Sequence, residues 1–405
     1  MQDQQRYERK LVALMFAVWG AVFLDRMSLL YVVPYLAPDL HLAQPQIGAL
    51  VAVIGVTWAI SAVVFGAISD HFGRRRVLIP MIFLFSVTSF LSGLAHNFGQ
   101  LLLARALMGV AEGPVWAIVN ALVERESSPR TKARNVSFVV SAAALVGLAA
   151  APVLATQIAA HFGWRAAFFV AGVPGLVLGL IAWRFVREPA HHDSNEPHSL
   201  ALRDLPLLLR SRNVLLCCLA GAGFIGWLTL QNAFGPLFIT AVMHKPGTEA
   251  GLLLGAAGVG SFIIGWYGPG LIHRFGQRPV LLGFAALSFL LPLALLCQPL
   301  YNWPWLLALI LGCTQGGQVV TAFVIVLIPT SSVPRRLAAS AIGLVTMSGE
   351  IFGGVGGPLL ASHLIPVYGL GFPLLMASGC MLLVLLAGLL VQLPVAAPVP
   401  AAVEA

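Results

Sequence analysis

The chain has 405 residues, 59% hydrophobic and 9% charged, with a formal net charge of +8. Soluble proteins carry about 25% charged residues, so a water-soluble globule of this size is excluded for want of charge to cover its surface. The basic balance does not indicate nucleic acid either, because Lys and Arg fall in short gaps between apolar runs and not on one patch.

Those runs are about 20 residues long, as a hydrocarbon core requires. They predict an all-α polytopic membrane protein with twelve transmembrane helices, at 11–36, 45–69, 77–95, 99–123, 134–160, 165–187, 213–243, 249–272, 279–298, 303–328, 336–363 and 369–393. The first run follows Arg6, Arg9 and Lys10 and lacks a small-residue cleavage site after it. It therefore reads as a retained helix and not as a signal peptide. The N-terminus and the gaps at 70–76, 124–134, 184–212, 273–278 and 329–336 hold 19 of the 23 Lys and Arg residues. The opposite gaps hold only Arg165 and Lys245, while Arg26 and Arg105 lie inside helices. That asymmetry predicts an inner (plasma) membrane protein with both termini and the 188–212 loop in the cytoplasm.

The 188–212 loop divides the chain into six-helix bundles at 1–187 and 213–393, with a Pro/Ala-rich tail at 394–405 expected to be disordered. His191, His192 and His198 read as part of a solvated linker, since no other metal-ligand type is spaced around them. The five cysteines all fall in apolar runs without CxxC or Cys/His spacing, so neither a disulfide framework nor a zinc site is expected, and no cofactor.

The bundles are related. "APVLATQIAAHFG" (151–163) aligns with "GPLLASHLIPVYG" (357–369), pairing Pro152 with Pro358, Ala155 with Ala361 and Gly163 with Gly369 at an offset of 206. "DHFGRR" (70–75) aligns with "HRFGQR" (273–278) at an offset of 203. Two matches at nearly one offset predict a duplicated six-helix unit. Parallel repeats of this kind are a transporter architecture, with substrate held between them at the midplane.

"GAISDHFGRRR" (66–76), after the second helix, resembles the signature loop of the major facilitator superfamily, and the resemblance covers the whole chain. A topology-setting Arg run would explain Arg74 and Arg75 but not Gly66, Asp70 and Gly73 at these spacings. The resemblance implies that Asp70 sits against the start of helix 11, where the positive helix end favours a carboxylate, and holds the cytoplasmic side shut in the outward-open state. His273 replaces the acid in the second copy, which implies a weaker lock there. Within the superfamily, "FLDRMSL", "RALMGVAEG" and "PVLATQIAAHFGWRAAFFVAGVPG" look like the anion:cation symporters, which move organic acids with protons. Many sugar-acid carriers of that group have Tyr where this chain has Phe23 and Trp-Leu-Pro where it has "FGP" (234–236). Both changes imply a less hydroxylated substrate.

Charges inside the helices carry the rest. At about 1.5 Å per residue, Asp25 is 14 residues into helix 1, Glu112 13 into helix 4 and Glu350 14 into helix 11. All three carboxylates thus reach one depth. Lipid-facing positions for them are implausible, so they face a shared cavity between the halves. Seven residues return to nearly one helix face, which puts Arg105, Glu112 and Trp116 on one stripe. Asp25 and Arg26 point about 100° apart, so the neighbouring pair serves two sides. Asp25 and Glu112 are candidate proton carriers, because burial disfavours the charged form. Arg26 and Arg105 are candidate anion clamps, because guanidinium offers a planar fork to a carboxylate. Structural ion pairs are the alternative, and for Glu350, whose first-half counterpart is Ala144, the two readings weigh equally. Trp116, Trp227, Gln231, Asn232, Gln315 and Gln318 are candidate cavity residues, each with interhelical hydrogen bonding as the alternative.

Together these predict a monomeric proton-coupled symporter of a small organic anion such as a sugar acid or aromatic carboxylate, with an exchanger or efflux carrier as the alternative. Helix 5, "GLAAAPVLAT", lacks the Gly-Pro-x-x-Gly-Gly run associated with antiporters of the superfamily. A membrane enzyme would need a nucleophile or metal cluster, and no HExxH or paired His/Asp site occurs in the helices.

Overall fold

In the structure, a computed structural model, residues 2–188, 205–334 and 337–392 are described. The expected tail at 394–405 and most of the 188–212 linker, with its three histidines, lie outside them. Twelve membrane-length helices are present among the described residues. They are α1 (Gln2–Asp39), α2 (Gln44–Phe72), α3 (Arg74–Gly93), α4 (Phe98–Glu126), α5 (Arg134–Phe162) and α6 (Trp164–Phe185). The second set is α7 (Arg212–Ala241), α8 (Gly247–Leu271), α9 (Gln277–Leu296), α10 (Pro304–Ser331), α11 (Ser340–Tyr368) and α12 (Phe372–Leu390). A short helix, Leu205–Arg210, precedes α7 inside the expected linker.

Side-chain size sorts lipid from interior. On α6, Val170, Val173, Val177 and Leu180 are exposed in steps of three and four, while Ala167, Ala171, Gly175 and Gly179 are buried against α3. Lipid solvates Leu and Val as well as a protein core does, so close helix contact is made by small residues. Gly175 illustrates the closeness: a Cβ there would stand 2.6 Å from the Phe85 ring.

Helix pairings repeat between the halves. In the first, α1 packs on α5 and α6, α2 on α4, and α3 on α6; in the second, α7 packs on α11 and α12, α8 on α10, and α9 on α12. The halves meet through α2 on α11, α5 on α8, and α1 on α7. Turns repeat too. Gly73 (φ 104°), Gly276 (83°), Gly163 (84°) and Gly369 (81°) adopt left-handed backbone, which any side chain would strain. They are the glycines that the two sequence alignments pair.

Several boundaries depart from hydropathy. α1 begins nine residues before the apolar run, because Glu8 is buried and accepts hydrogen bonds from Thr131 and Asn135 of the α4–α5 region. α4 is interrupted at Gly113–Pro114, where proline removes a helix donor. α10 is broken at Gln315–Gly316. π-helical turns occupy Ala143–Ala150 of α5 and Gly349–Gly356 of α11, again 206 residues apart.

Candidate functional site

The midplane charges arise on α1, α4 and α11. Asp25 is fully buried and points into the first half, where its Oδ1 lies 2.8 Å from Ser89 Oγ on α3. Ser89 Oγ is also 2.8 Å from the Phe168 carbonyl on α6. One hydroxyl carries one hydrogen. If Asp25 is protonated, it donates to Ser89 and Ser89 donates to Phe168, and all three oxygens are satisfied. Asp25 Oδ2 has no hydrogen-bond partner.

Arg26, one residue on, points the other way. Its Nη2 lies 3.8 Å from Glu350 Oε2 on α11, and its guanidinium sits 5.8 Å from the Trp58 ring centroid on α2. Arg105 is fully buried with 5.9 Å between its guanidinium carbon and the Phe168 ring centroid. Its Nη2 donates to the Arg26 carbonyl at 3.3 Å, while Nε and Nη1 have no partner. Glu112, also fully buried, leaves both carboxylate oxygens unpartnered. It is within electrostatic reach of Arg26, Asp25 and Arg105. The three carboxylates expected at one depth and the two guanidiniums therefore form one cluster, and it is not tied up in hydrogen-bonded ion pairs.

The uncharged candidates divide. Trp116, four residues after Glu112, lies against Trp19 with ring centroids 4.5 Å apart and planes tilted by 31°. Gln231 and Gln315 are buried with unpartnered amide atoms, and with Asn232, Leu148 and Leu254 they line a cavity of about 10 Å³ between α5, α7, α8, α9 and α10. That is room for one water. Asn232 and Trp227 take the hydrogen-bonding alternative. Asn232 is committed to the interface: it accepts from Tyr31 Oη at 2.8 Å and donates to the Leu228 carbonyl at 2.7 Å. Trp227 is core, with Nε1 donating to the Ser288 carbonyl at 2.9 Å. Gln315 and Gln318 do not share a helical face, because α10 breaks between them; Gln318 packs its Cβ against Gly265 instead.

In the signature loop, Gly73 caps α2 and Arg74 opens α3. Arg75 Nη2 donates to the Trp183 carbonyl at 2.6 Å, and its backbone N–H donates to Glu188 at 3.4 Å. Arg278, its repeat mate, donates to the Leu389 carbonyl. Each arginine caps the last turn of α6 or α12, which ties the loop to its own half. Gly66 has nothing within 4 Å of a notional Cβ. Asp70 belongs to the last turns of α2, and its side chain lies outside the described structure, as does that of His273.

Closure between halves lies at the end opposite the basic loops. Gly48 on α2 is pressed by Ser362 and Pro358 of α11, and Gly251 on α8 by Thr156 and Pro152 of α5. Gly55 meets Val355, and Gly258 meets Ala149, nearer the midplane. Every member of one set is the repeat mate of a member of the other. At that end, between α1 and α7, Tyr35, His41, Thr240 and Lys245 line an open cavity of about 650 Å³.

Ser89, Tyr31 and Trp58 escaped sequence reading. The signal for Ser89 was present in "FSVTSFLSG" (85–93), four hydroxyls in an apolar helix, all of them buried.

Two repeated six-helix halves closing on one face around a midplane charge cluster define a secondary transporter fold. Residues 14–358 match the Major Facilitator Superfamily profile, and the chain belongs to that family. It is 26% identical over 327 residues to a probable 4-methylmuconolactone transporter of Cupriavidus pinatubonensis, covering 76% of this chain and 72% of the relative. It is 26% identical over 395 residues to the sialic acid transporter NanX of Escherichia coli, covering 92% and 93%. A mutant of the nucleoside transporter NupG superimposes with a TM-score of 0.76 at 15% identity, over 94% of this chain and 99% of the other. The protein is accordingly a multi-pass membrane transporter and not an enzyme.

Proposed function

We propose that this transporter is a monomeric proton-coupled symporter that takes up a small carboxylate by alternating access. One observation carries the reading: Arg105 is fully buried with Nε and Nη1 unpartnered, beside acids that do not hydrogen-bond to it. A guanidinium cannot shed its proton, and an uncompensated buried charge costs about 3–5 kcal/mol. An anion that fits the fork is the matching ligand.

Protons enter through Asp25 and Glu112. A bare carboxylate at the midplane resists occlusion, and protonation relieves that cost. The Asp25–Ser89–Phe168 arrangement has a place for such a proton. In the protonated state the arginines are free of the protein's own acids. Relatives named for sialic acid, a carboxylate, and for 4-methylmuconolactone, a sparsely hydroxylated lactone, support an organic acid.

With the basic loops in the cytoplasm of an inner-membrane protein, the closed end is the outer one and the state is inward-facing. Rocking the halves about the α2–α11 and α5–α8 contacts then opens the outer side, and in that state Asp70 and the loop around it hold the cytoplasmic face shut. Purified protein in liposomes should show counterflow of a labelled carboxylate without any gradient. It should also accumulate that carboxylate under an inward proton gradient. Counterflow that ignores the pH gradient would overturn symport in favour of exchange.

A further inference from the structure

One charged group of the cluster comes from the second half. Glu350 stands in the π-helical stretch of α11, 9% exposed, with Oε2 facing Arg26 Nη2 at 3.8 Å. That separation is beyond hydrogen-bond range, and Oε2 has no partner of any kind in hydrogen-bond distance. Two glycines make the space it occupies. A Cβ at Gly354 would stand 2.8 Å from Oε2, and one at Gly55 of α2 would stand 3.8 Å from it. Every neighbouring element is otherwise uncharged at this depth. α2 from Gln44 to Gly66, α7 from Asn213 to Ala241, and α12 carry no Asp, Glu, Lys or Arg. Arg26 is therefore the charge that Glu350 answers, across the interface between the halves, with Arg105, Asp25 and Glu112 behind it.

Resting on the carboxylate-symport reading above, we propose that Glu350 is an internal stand-in for the substrate carboxylate. It neutralises Arg26 while the site is empty, and it is displaced by the incoming anion as it takes up a proton that enters by way of Asp25 and Glu112. Charge neutrality of a buried site supports this. Two guanidiniums balance three carboxyls when one carboxyl is protonated. A bound monocarboxylate adds one negative charge, so the loaded site is neutral when a second carboxyl is protonated. Glu350 is the carboxyl that loses its cationic partner to the substrate, and so the one that gains the proton. The loose 3.8 Å approach suits a counter-ion that must let go. A structural staple would close to a bidentate hydrogen-bonded pair.

The test uses the full-length protein in detergent. Binding of N-acetylneuraminate, glucuronate, benzoate and muconolactone is followed by thermal shift and then titrated by calorimetry from pH 5.5 to 8. Wild-type affinity should fall as pH rises, because ionised Glu350 competes for Arg26. Glu350→Gln should bind the same ligand about tenfold tighter at pH 8, with a shallower pH dependence. Glu350→Asp, which retracts the acid by one methylene, should fall between the two and serves if the Gln variant does not fold. In liposomes Glu350→Gln should keep counterflow and slow net uptake, because the empty carrier returns without a counter-ion on Arg26. Unchanged or weaker binding in both variants, with the wild-type pH slope intact, overturns the stand-in role and leaves the symport reading standing. No shift of the wild type by any of the four ligands overturns the carboxylate reading itself, and this inference with it.

Discussion

At the turn before α3, Gly73 takes a left-handed backbone and Arg75 caps the carbonyl of Trp183; before α9, Gly276 and Arg278 do the same to Leu389. Gly48 seats on Pro358 and Ser362 as Gly251 seats on Pro152 and Thr156. The halves thus repeat down to single contacts wherever the backbone turns or closes. At the midplane they part. Asp25, Arg26 and Arg105 stand where the second half has Leu228, Thr229 and Ala308, and Glu112 stands where it has Gln315. Contacts that govern rocking need both copies, because each half must close on the other. A charge cluster needs only one copy, and a second would double the desolvation cost.

The sharpest break between the halves is the carboxylates, and the largest effect is expected there. Asp25→Asn and Glu112→Gln should abolish or strongly reduce accumulation driven by an inward proton gradient in liposomes. Glu112→Gln should still exchange substrate across the membrane, since exchange needs the clamp and the rocking but no net proton release. A double variant that still concentrates substrate in response to pH would move the proton path out of the first half.

A smaller effect is expected at the arginines. Arg26→Lys and Arg105→Lys keep the charge and lose the planar fork. Carboxylate affinity should fall by about 1–3 kcal/mol, the scale of a charged hydrogen bond, as read by calorimetry. Unchanged affinity in both would remove the clamp.

The smallest effect tests where the halves agree. Gly73→Ala and Gly276→Ala should each lower stability by about 1–3 kcal/mol, the cost of a side chain in a positive-φ, extended backbone region that glycine alone commonly adopts. Gly73→Ala should lose more, because its new methyl would stand 2.7 Å from the Glu188 carboxylate, while the nearest atom at Gly276 is 4.0 Å away. Equal losses would mean that Glu188 yields freely.

The charged members of the site were legible because they violate the composition around them: an acid or guanidinium in an apolar run is visible without any neighbour. Amides were not. Gln231 and Asn232 are adjacent and chemically alike, yet one is left with unpartnered amide atoms and the other is spent on Tyr31, 201 residues away in the chain. The helix end at Gly163 was legible, where glycine marks the turn, whereas the eleventh helix runs on to Tyr368, five residues past its expected end. The start of α1 was not legible, because its polar first turns are held by a buried Glu8 that only Thr131 and Asn135 make tolerable.

By itself the sequence determined the membrane-spanning class, the twelve helices, the duplication and which helices carry Asp25, Arg26, Arg105, Glu112 and Glu350. Each of these follows from hydropathy, a fixed rise per residue and an internal offset, all local to the chain. Only the tertiary structure decided which way those charges face and whom they meet. Asp25 turned to Ser89 and Arg26 to Glu350 because α3, α6 and α11 packed on different sides of α1 and α2. In a bilayer that packing is set by where small residues let backbones approach, which is a property of pairs of helices and not of either one.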